Sequence, residues 1–320
     1  MIAAVGAGRM GRGMAIAFAY SGHDVLLLDA KDRPRDAFET LKSNALSDIR
    51  STLAMLASFG MLDDTHIETV LARISIAPLT EADKLAQAQV IFEGVPELLG
   101  PKEAAFALIC QHANADAIIA STTSTILSTE LQTFVTHPER FLNAHWLNPA
   151  YLVPLVELMP GDHTDPDVTT RLKSLLESIG KVPVTCAPSP GYIVPRIQML
   201  AMNEAARLIE EGVASAEDID KATKYGFGFR FAVLGLLEFI DWGGGDILYH
   251  ASNYMSDATG DTRFQAPDIV KSNMEKGRTG LRDGQGFMDY EGLDTAAYQR
   301  GRLSAFVDML RHLNKLPPRV

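Results

Sequence analysis

The sequence predicts an α/β chain in which a doubly wound, largely parallel sheet is followed by an all-α domain. Three observations predict it. Short apolar, β-rich runs alternate with helix-length segments through residues 1–187, the pattern of successive β–α units. A glycine-rich turn, Gly6-Ala7-Gly8-Arg9-Met10-Gly11, joins the first such run to the first helical segment. Beyond Ala187-Pro188-Ser189-Pro190-Gly191 the strand pattern stops and helical periodicity takes over. A length of 320 residues is enough for about two domains, expected at 1–187 and 188–320.

In order, the strand candidates are Ile2–Val5, Asp24–Leu28, Ile74–Ala77, Gln89–Phe92, Ala117–Ala120, Phe141–Ala144, Pro154–Leu158 and Val182–Thr185. Between the second and third, Phe38, Leu41, Ala45, Ile49, Leu53 and Leu56 recur at helical spacing before a break at Gly60. The stretch Arg35 to Arg73 therefore reads as a helical hairpin projecting from the sheet, serving either as packing or as a flap over a ligand. In the second domain Ile197, Leu200, Ala201, Ala205 and Leu208 mark an apolar helix face. Gly212 is its stop, and Ser215 with Asp218 forms a weak capping box for the next helix.

Composition narrows the function classes. Hydrophobic residues make up 47% and charged residues 22%, which argues for folded cores and against a disordered chain. Lys and Arg number 29 against 40 Asp and Glu, and the net charge of −11 gives no electrostatic reason to bind nucleic acid or an anionic membrane. The longest apolar stretch, Phe231 to Ile240, contains Glu238 and falls short of the about 20 residues a bilayer span needs. Cys110 and Cys186 are too few for a disulfide scaffold, and the opening residues carry neither a basic start nor a cleavable apolar segment, so a cytoplasmic location is expected.

The glycine turn has the GxGxxG form. Gly6 permits the tight turn, Gly8 lets the backbone approach a pyrophosphate, and Gly11 allows helix to pack on strand, while the helix start at Arg9 and Met10 offers free N–H groups to anionic oxygen. Asp29 closes the second strand candidate 18 residues beyond Gly11, close to the spacing of a ribose-binding acid. Together they specify a Rossmann-type dinucleotide site. Asp29 favours NAD over NADP because it repels a 2′-phosphate, although Lys31, Arg33 and Arg35 are cations of the kind that accommodate one.

Two further segments follow strand candidates: Ala120-Ser121-Thr122-Thr123-Ser124, and Asn143-Ala144-His145-Trp146-Leu147-Asn148-Pro149. Strand ends at the carboxyl edge of a parallel sheet converge on the ligand crevice, which would bring Ser124, His145 and Asn148 near a nicotinamide ring. Glu157 lies on the next strand candidate. A buried carboxylate bonded to one imidazole nitrogen leaves the other free to exchange a proton with substrate, the arrangement that hydroxyl oxidation needs. Alone, His145 is more often a structural histidine; the shared context reverses that reading. No HExxH pair or Cys/His ligand spacing is present, so no metal is expected.

At these residues the sequence resembles the 3-hydroxyacyl-CoA dehydrogenase family: GxGxxG, Asp29, Pro96-Glu97, the Ser/Thr run ending at Ser124, His145-Trp-Leu-Asn-Pro149, Glu157, Pro190-Gly191-Tyr192 and Gly284-Gln285-Gly286-Phe287. The match covers nearly the whole chain. The resemblance implies that His145 is the general base and Glu157 its partner, that Ser124 hydrogen-bonds the substrate, that Asn148 lies near the nicotinamide, and that Glu97 and Lys102 contact the cofactor. It implies NAD as cofactor, a homodimer, and a short-chain 3-hydroxyacyl-CoA such as 3-hydroxybutyryl-CoA as substrate. A related β-hydroxyacid dehydrogenase pattern uses a later lysine, for which the segment from Gly191 to Arg196 has no counterpart.

Four positions depart from the family pattern. Pro195 stands where an asparagine in PGF-x-x-NR helps bind acyl-CoA, and proline supplies neither an amide nor an N–H. Ser58-Phe59-Gly60-Met61 is uncharged where lysines surround a glycine, which weakens the case for the CoA phosphates. Trp146 replaces a more usual Phe, and Thr122 a common asparagine. These departures leave open a free hydroxy acid as in L-gulonate or carnitine dehydrogenases, with Arg230 of Phe229-Arg230-Phe231 as a carboxylate partner. A non-catalytic NAD-binding role, as in crystallins recruited from this family, is a third reading that the retained Ser124, His145, Asn148 and Glu157 oppose.

Overall fold

The computed structural model describes residues 1–318 and divides into two compact units, Met1–Ala201 and Met202–Val320. The first unit runs β1 (Ile2–Val5), α1 (Arg9–Tyr20), β2 (Val25–Leu28), α2 (Arg35–Ser58), α3 (Ile67–Leu71), β3 (Ile74–Ala77), β4 (Val90–Glu93), α4 (Leu99–His112), β5 (Ile118–Ser121), α5 (Ser128–Leu131), β6 (Phe141–Trp146), β7 (Leu155–Pro160), α6 (Pro166–Ser178) and β8 (Val182–Thr185). Helix α7 (Val194–Glu210) begins within it. All eight expected strands form, in one sheet ordered β3-β2-β1-β4-β5-β6-β7-β8. Every pair is parallel except β6–β7, which is antiparallel. The winding reverses between β1 and β4, so the crevice beyond their carboxyl ends is the natural ligand site of such a sheet.

Strands β1, β2, β4 and β5 are buried along their whole length because both faces of the sheet are covered there. Ile2, Ala4, Leu27, Phe92 and Trp146 pack on one side with Phe18 of α1, whereas Ala3, Val5, Leu26, Ile91 and Ile119 pack on the other with Phe106 of α4. Each fully buried Leu, Ile or Phe contributes about 1.5–3 kcal/mol. Trp146 meets the rings of Phe18 and Phe92 at 5.7 and 5.8 Å between centroids, a pocket of aromatics that accommodates its extra bulk.

Of the two roles open to the 35–73 segment, packing or a flap, its apolar residues take the first. Phe38, Ala45, Ile49, Leu53 and Leu56 of α2 are buried in the α1-side core together with Val70 and Leu71 of α3. The apolar stripe that predicts the helix is thus its packing face, and the tip stays outside, with Phe59 69% exposed.

The second unit is helical: α8 (Ala216–Ala222), a π-helical turn over Thr223–Gly228, α9 (Phe229–Phe231), α10 (Leu236–Gly243), α11 (Gly245–Thr259), α12 (Asp268–Glu275) and α13 (Thr295–His312). Ser215 caps α8 as expected, its Oγ accepting from the Asp218 N–H at 3.1 Å. Asp241 of α10 is buried and accepts from the N–H groups of Phe287 and Met288 at 2.9 Å and from the Tyr290 hydroxyl at 3.1 Å. A Cβ on Gly286 would overlap that carboxylate, which accounts for the glycine in the Gly284–Phe287 motif. The apolar face predicted for α7 is present, yet none of its residues is buried. Among the described residues no helix is long and apolar enough to cross a membrane.

Candidate active site

The antiparallel β6–β7 pair sets His145 directly opposite Glu157. Opposed residues of such a pair have Cβ atoms about 4.5–5.5 Å apart, so their side chains meet without any loop to guide them. His145 Nδ1 lies 2.8 Å from Glu157 Oε2, and Glu157 is 0% exposed. The other carboxylate oxygen accepts from the N–H groups of Ile193 and Val194 at 2.9 and 2.8 Å, where α7 begins. Burial alone would raise this carboxyl, but the His145 bond and the two backbone donors outweigh it and hold Glu157 below the usual carboxylate range. A carboxylate only accepts, so Nδ1 carries the ring hydrogen and Nε2 keeps a free lone pair. Among the described residues Nε2 has no protein partner.

The Ser124 loop is held by a second acid. Glu97 Oε1 accepts from the N–H groups of Ser124 and Thr125 at 3.0 and 3.1 Å and from the hydroxyls of Thr123 and Thr125. Burial pushes Glu97 up, yet the threonine hydroxyls and the Lys102 ammonium bring it to about 2. Lys102 is completely buried, its Nζ 3.2 Å from Glu97 and 3.0 Å from Glu93 Oε2. Glu93, also 0% exposed, accepts in addition from Ser121 Oγ at 2.6 Å and from the Val95 N–H at 2.8 Å. Sequence reasoning missed Glu93. An acid closing the apolar run Val90-Ile91-Phe92, with a lysine nine residues on, was the available signal, because a buried carboxylate needs a cation.

Tyr192 was also missed as a site residue. Its ring stacks on His145, centroids 4.9 Å apart and planes 26° from parallel. Its hydroxyl donates to the Thr123 carbonyl at 3.0 Å and accepts from Asn143 Nδ2 at 3.0 Å. Burial pushes this phenol up, so it remains a donor. Tyr192 therefore links His145 to the residue preceding Ser124.

At the switch point, Gly6 has φ +118° and a Cβ there would stand 2.6 Å from the Gly94 carbonyl, while a Cβ on Gly11 would overlap the carbonyl oxygen of Gly6. Above Gly8 there is open space, and no acidic residue sits in the first turn of α1. A cavity of about 400 Å³ runs from this turn to Asp29, with Met10, Val95 and Pro96 in its walls. Asp29 is buried at the end of β2, accepting from Arg33 Nε at 2.6 Å and from the Lys31 N–H at 3.3 Å. Open glycine backbone, free helix-start N–H groups and a terminal carboxylate fit the pyrophosphate and ribose of a dinucleotide.

Residues 1–189 match the model of the 3-hydroxyacyl-CoA dehydrogenase NAD binding domain, and residues 191–290 that of the C-terminal domain of the same family. The chain belongs to the 3-hydroxyacyl-CoA dehydrogenase family. Members of this family are NAD-dependent oxidoreductases, and NAD is the cofactor of the first unit. The chain is 30% identical over 315 residues to 5-formyl-3-hydroxy-2-methylpyridine 4-carboxylate 5-dehydrogenase of Mesorhizobium japonicum, covering 98% of this chain and 97% of that protein. It is 32% identical over 286 residues to a probable 3-hydroxybutyryl-CoA dehydrogenase of Deinococcus radiodurans, covering 89% and 98%. The crystal structure of the 3-hydroxyacyl-CoA dehydrogenase of Archaeoglobus fulgidus superposes with a TM-score of 0.77 at 30% identity, over 98% of this chain and 99% of that one. The family thus includes relatives named for a CoA thioester and one named for a pyridine carboxylate.

Of the remaining positions expected to act in this dehydrogenase, Asn148 is exposed beyond β6 and lines a separate cavity of about 390 Å³ with Arg9, Arg12 and Gly13. No hydrogen bond joins it to the dyad among the described residues. The loop that follows it is clamped by Lys181, whose Nζ donates to the carbonyls of Ala150 and Val153 at 2.6 and 2.8 Å; burial pushes that ammonium down. Arg230 of the second unit donates from Nε to the Gly226 carbonyl at 3.0 Å and lies over the Phe239 ring.

Proposed function

We propose that the protein oxidises the 3-hydroxyl of a short-chain L-3-hydroxyacyl-CoA, with 3-hydroxybutyryl-CoA as the representative substrate. The observation that carries this reading is the 2.8 Å bond between His145 Nδ1 and the fully buried Glu157. His145 Nε2 takes the hydroxyl proton, and Glu157 stabilises the imidazolium that results and fixes which nitrogen is free. Ser124, whose N–H is held by Glu97, donates its hydroxyl to the substrate oxygen; Glu97 and Lys102 act on the cofactor side by holding this loop. Gly6, Gly8 and Gly11 with the Arg9 and Met10 N–H groups receive the pyrophosphate, Asp29 the adenosine ribose, and Asn148 borders the nicotinamide. NAD, when bound, supplies the acceptor for the hydride leaving the carbinol carbon. Reduction runs the same proton path backwards.

A second reading, a free hydroxy acid as substrate, is favoured by two features. Pro195 at the start of α7 has no amide to offer, and the exposed tip Ser58–Met61 carries no cation for CoA phosphates. A side-by-side comparison of 3-hydroxybutyryl-CoA with free 3-hydroxybutyrate, L-gulonate and carnitine decides between them. The thioester is expected to give the highest kcat/KM, and faster turnover of a free acid would overturn the CoA assignment. A folded, NAD-binding protein inactive on all of them would support a binding role instead.

We also read the protein as a cytoplasmic homodimer. Tyr254, Ile247 and Val213 of the second unit are 71%, 63% and 63% exposed, apolar surface of the kind that dimer interfaces cover. A single species of twice the chain mass in light scattering is the expected result.

A further inference from the structure

Tyr192 adopts φ +48°, in the left-handed region where a side chain with a Cβ is disfavoured and glycine would be the unstrained choice. The preceding Gly191 is left-handed as well, at +77°. Two consecutive left-handed residues turn the chain sharply enough that the next two N–H groups, of Ile193 and Val194, both reach Glu157. In the same turn the Tyr192 ring is laid on His145 and its hydroxyl is fixed between the Thr123 carbonyl and Asn143. Asn143 stands two residues before His145 on β6 and therefore on the same face, so ring and hydroxyl both address that one edge of the sheet. The side chain of Tyr192 thus touches the dyad histidine, its strand-mate, and the loop of Ser124, and no glycine could make any of these contacts.

We infer that Tyr192 is a positioning residue for the proton transfer: its ring fixes the plane of His145 while its hydroxyl ties that plane to the Ser124 loop. Imidazole has freedom about χ2 that a single bond to Glu157 restrains along one direction only. A stacked aromatic plane removes the remaining rotation, and a displacement of an ångström at a reacting group slows chemistry by about a hundredfold. The inference rests on His145 being the base, as proposed above.

The test replaces Tyr192 by Phe, which keeps the plane, and by Leu and Met, which fill similar volume without one. NAD affinity, kcat, KM and the primary deuterium isotope effect on kcat are measured with substrate deuterated at the carbinol carbon. The Leu and Met variants are expected to bind NAD with wild-type affinity and unchanged KM but to lose about tenfold or more in kcat, with the isotope effect rising as chemistry becomes limiting. The Phe variant is expected to recover most of that kcat and to show a lower unfolding midpoint from the lost hydroxyl bonds. Should the Leu variant lose NAD binding, the Met variant is read in the same way. Wild-type kcat and isotope effect in a non-aromatic variant, or a Phe variant as slow as Leu, would overturn the inference. His145→Ala is assayed alongside: if it turns over normally, the base assignment fails; if it is inactive and the Tyr192 series is silent, only the role of Tyr192 fails.

Discussion

Glu157→Gln changes one oxygen for a nitrogen at a site with no exposed surface. The carboxylate accepts three hydrogen bonds, from His145 Nδ1, Ile193 N–H and Val194 N–H. The glutamine carbonyl can still take the two backbone donors, which leaves its NH2 group facing Nδ1. Two donors cannot share that contact, so the imidazole must move its hydrogen to Nε2 and present Nδ1 as an acceptor. The lone pair proposed above to take the substrate proton is then gone, and the base contribution lost would be about 10²–10⁴-fold in kcat. Stability also falls. Bonds to a charged acceptor are worth about 1.5–3 kcal/mol against about 0.5–1.5 for neutral ones, so weakening the two backbone bonds costs about 2 kcal/mol. Glu157 is held below its ordinary value in the folded chain, so this contribution is fully present above the usual glutamate range and is lost as pH falls through the lower folded value. Urea unfolding of wild type and variant at neutral pH should therefore show a gap that closes in acid, and steady-state NADH formation should show the kcat loss with little change in NAD affinity. Near wild-type turnover in the variant, or a stability gap that persists unchanged in acid, would refute the reasoning.

Asp29→Ala removes a buried carboxylate from the wall of the cavity beside the glycine turn and, if Asp29 is the ribose ligand proposed above, should weaken NAD binding by about 10- to 100-fold in a fluorescence titration, leaving kcat at saturating NAD nearly unchanged; unaltered affinity would exclude that role. Lys102→Met leaves Glu93 charged and uncompensated in the interior, so urea unfolding should report a loss of about 3–5 kcal/mol, and a loss below about 1 kcal/mol would show that the buried Lys102–Glu93 pair is not held by charge.

The strands were legible because each is a short apolar run between turn residues, and the covered faces of the sheet demand such runs. The glycine turn was legible because the backbone packs so closely at Gly6 and Gly11 that a Cβ has no room. The meeting of His145 and Glu157 was anticipated from their place on neighbouring strand candidates, and the structure achieves it by antiparallel register. That signal was available: the eight residues 147–154 between β6 and β7 are too few for a parallel crossover, which needs a dozen or more. Tyr192 and the two N–H donors to Glu157 were not legible, since they depend on a left-handed turn that the sequence marks only by Pro190-Gly191. Helical periodicity located the apolar faces of α2 and α7 equally well, yet one is core and the other is not buried, because periodicity states which side is apolar and not what covers it.

The most direct measurement of the central claim is a double-mutant cycle in kcat over His145→Ala, Glu157→Gln and the two combined. If the imidazole works only as the carboxylate sets it, the combined variant is no slower than about threefold below His145→Ala alone, as residues acting as one unit require. Losses that multiply instead would mean that the two side chains act independently, and would contradict the account.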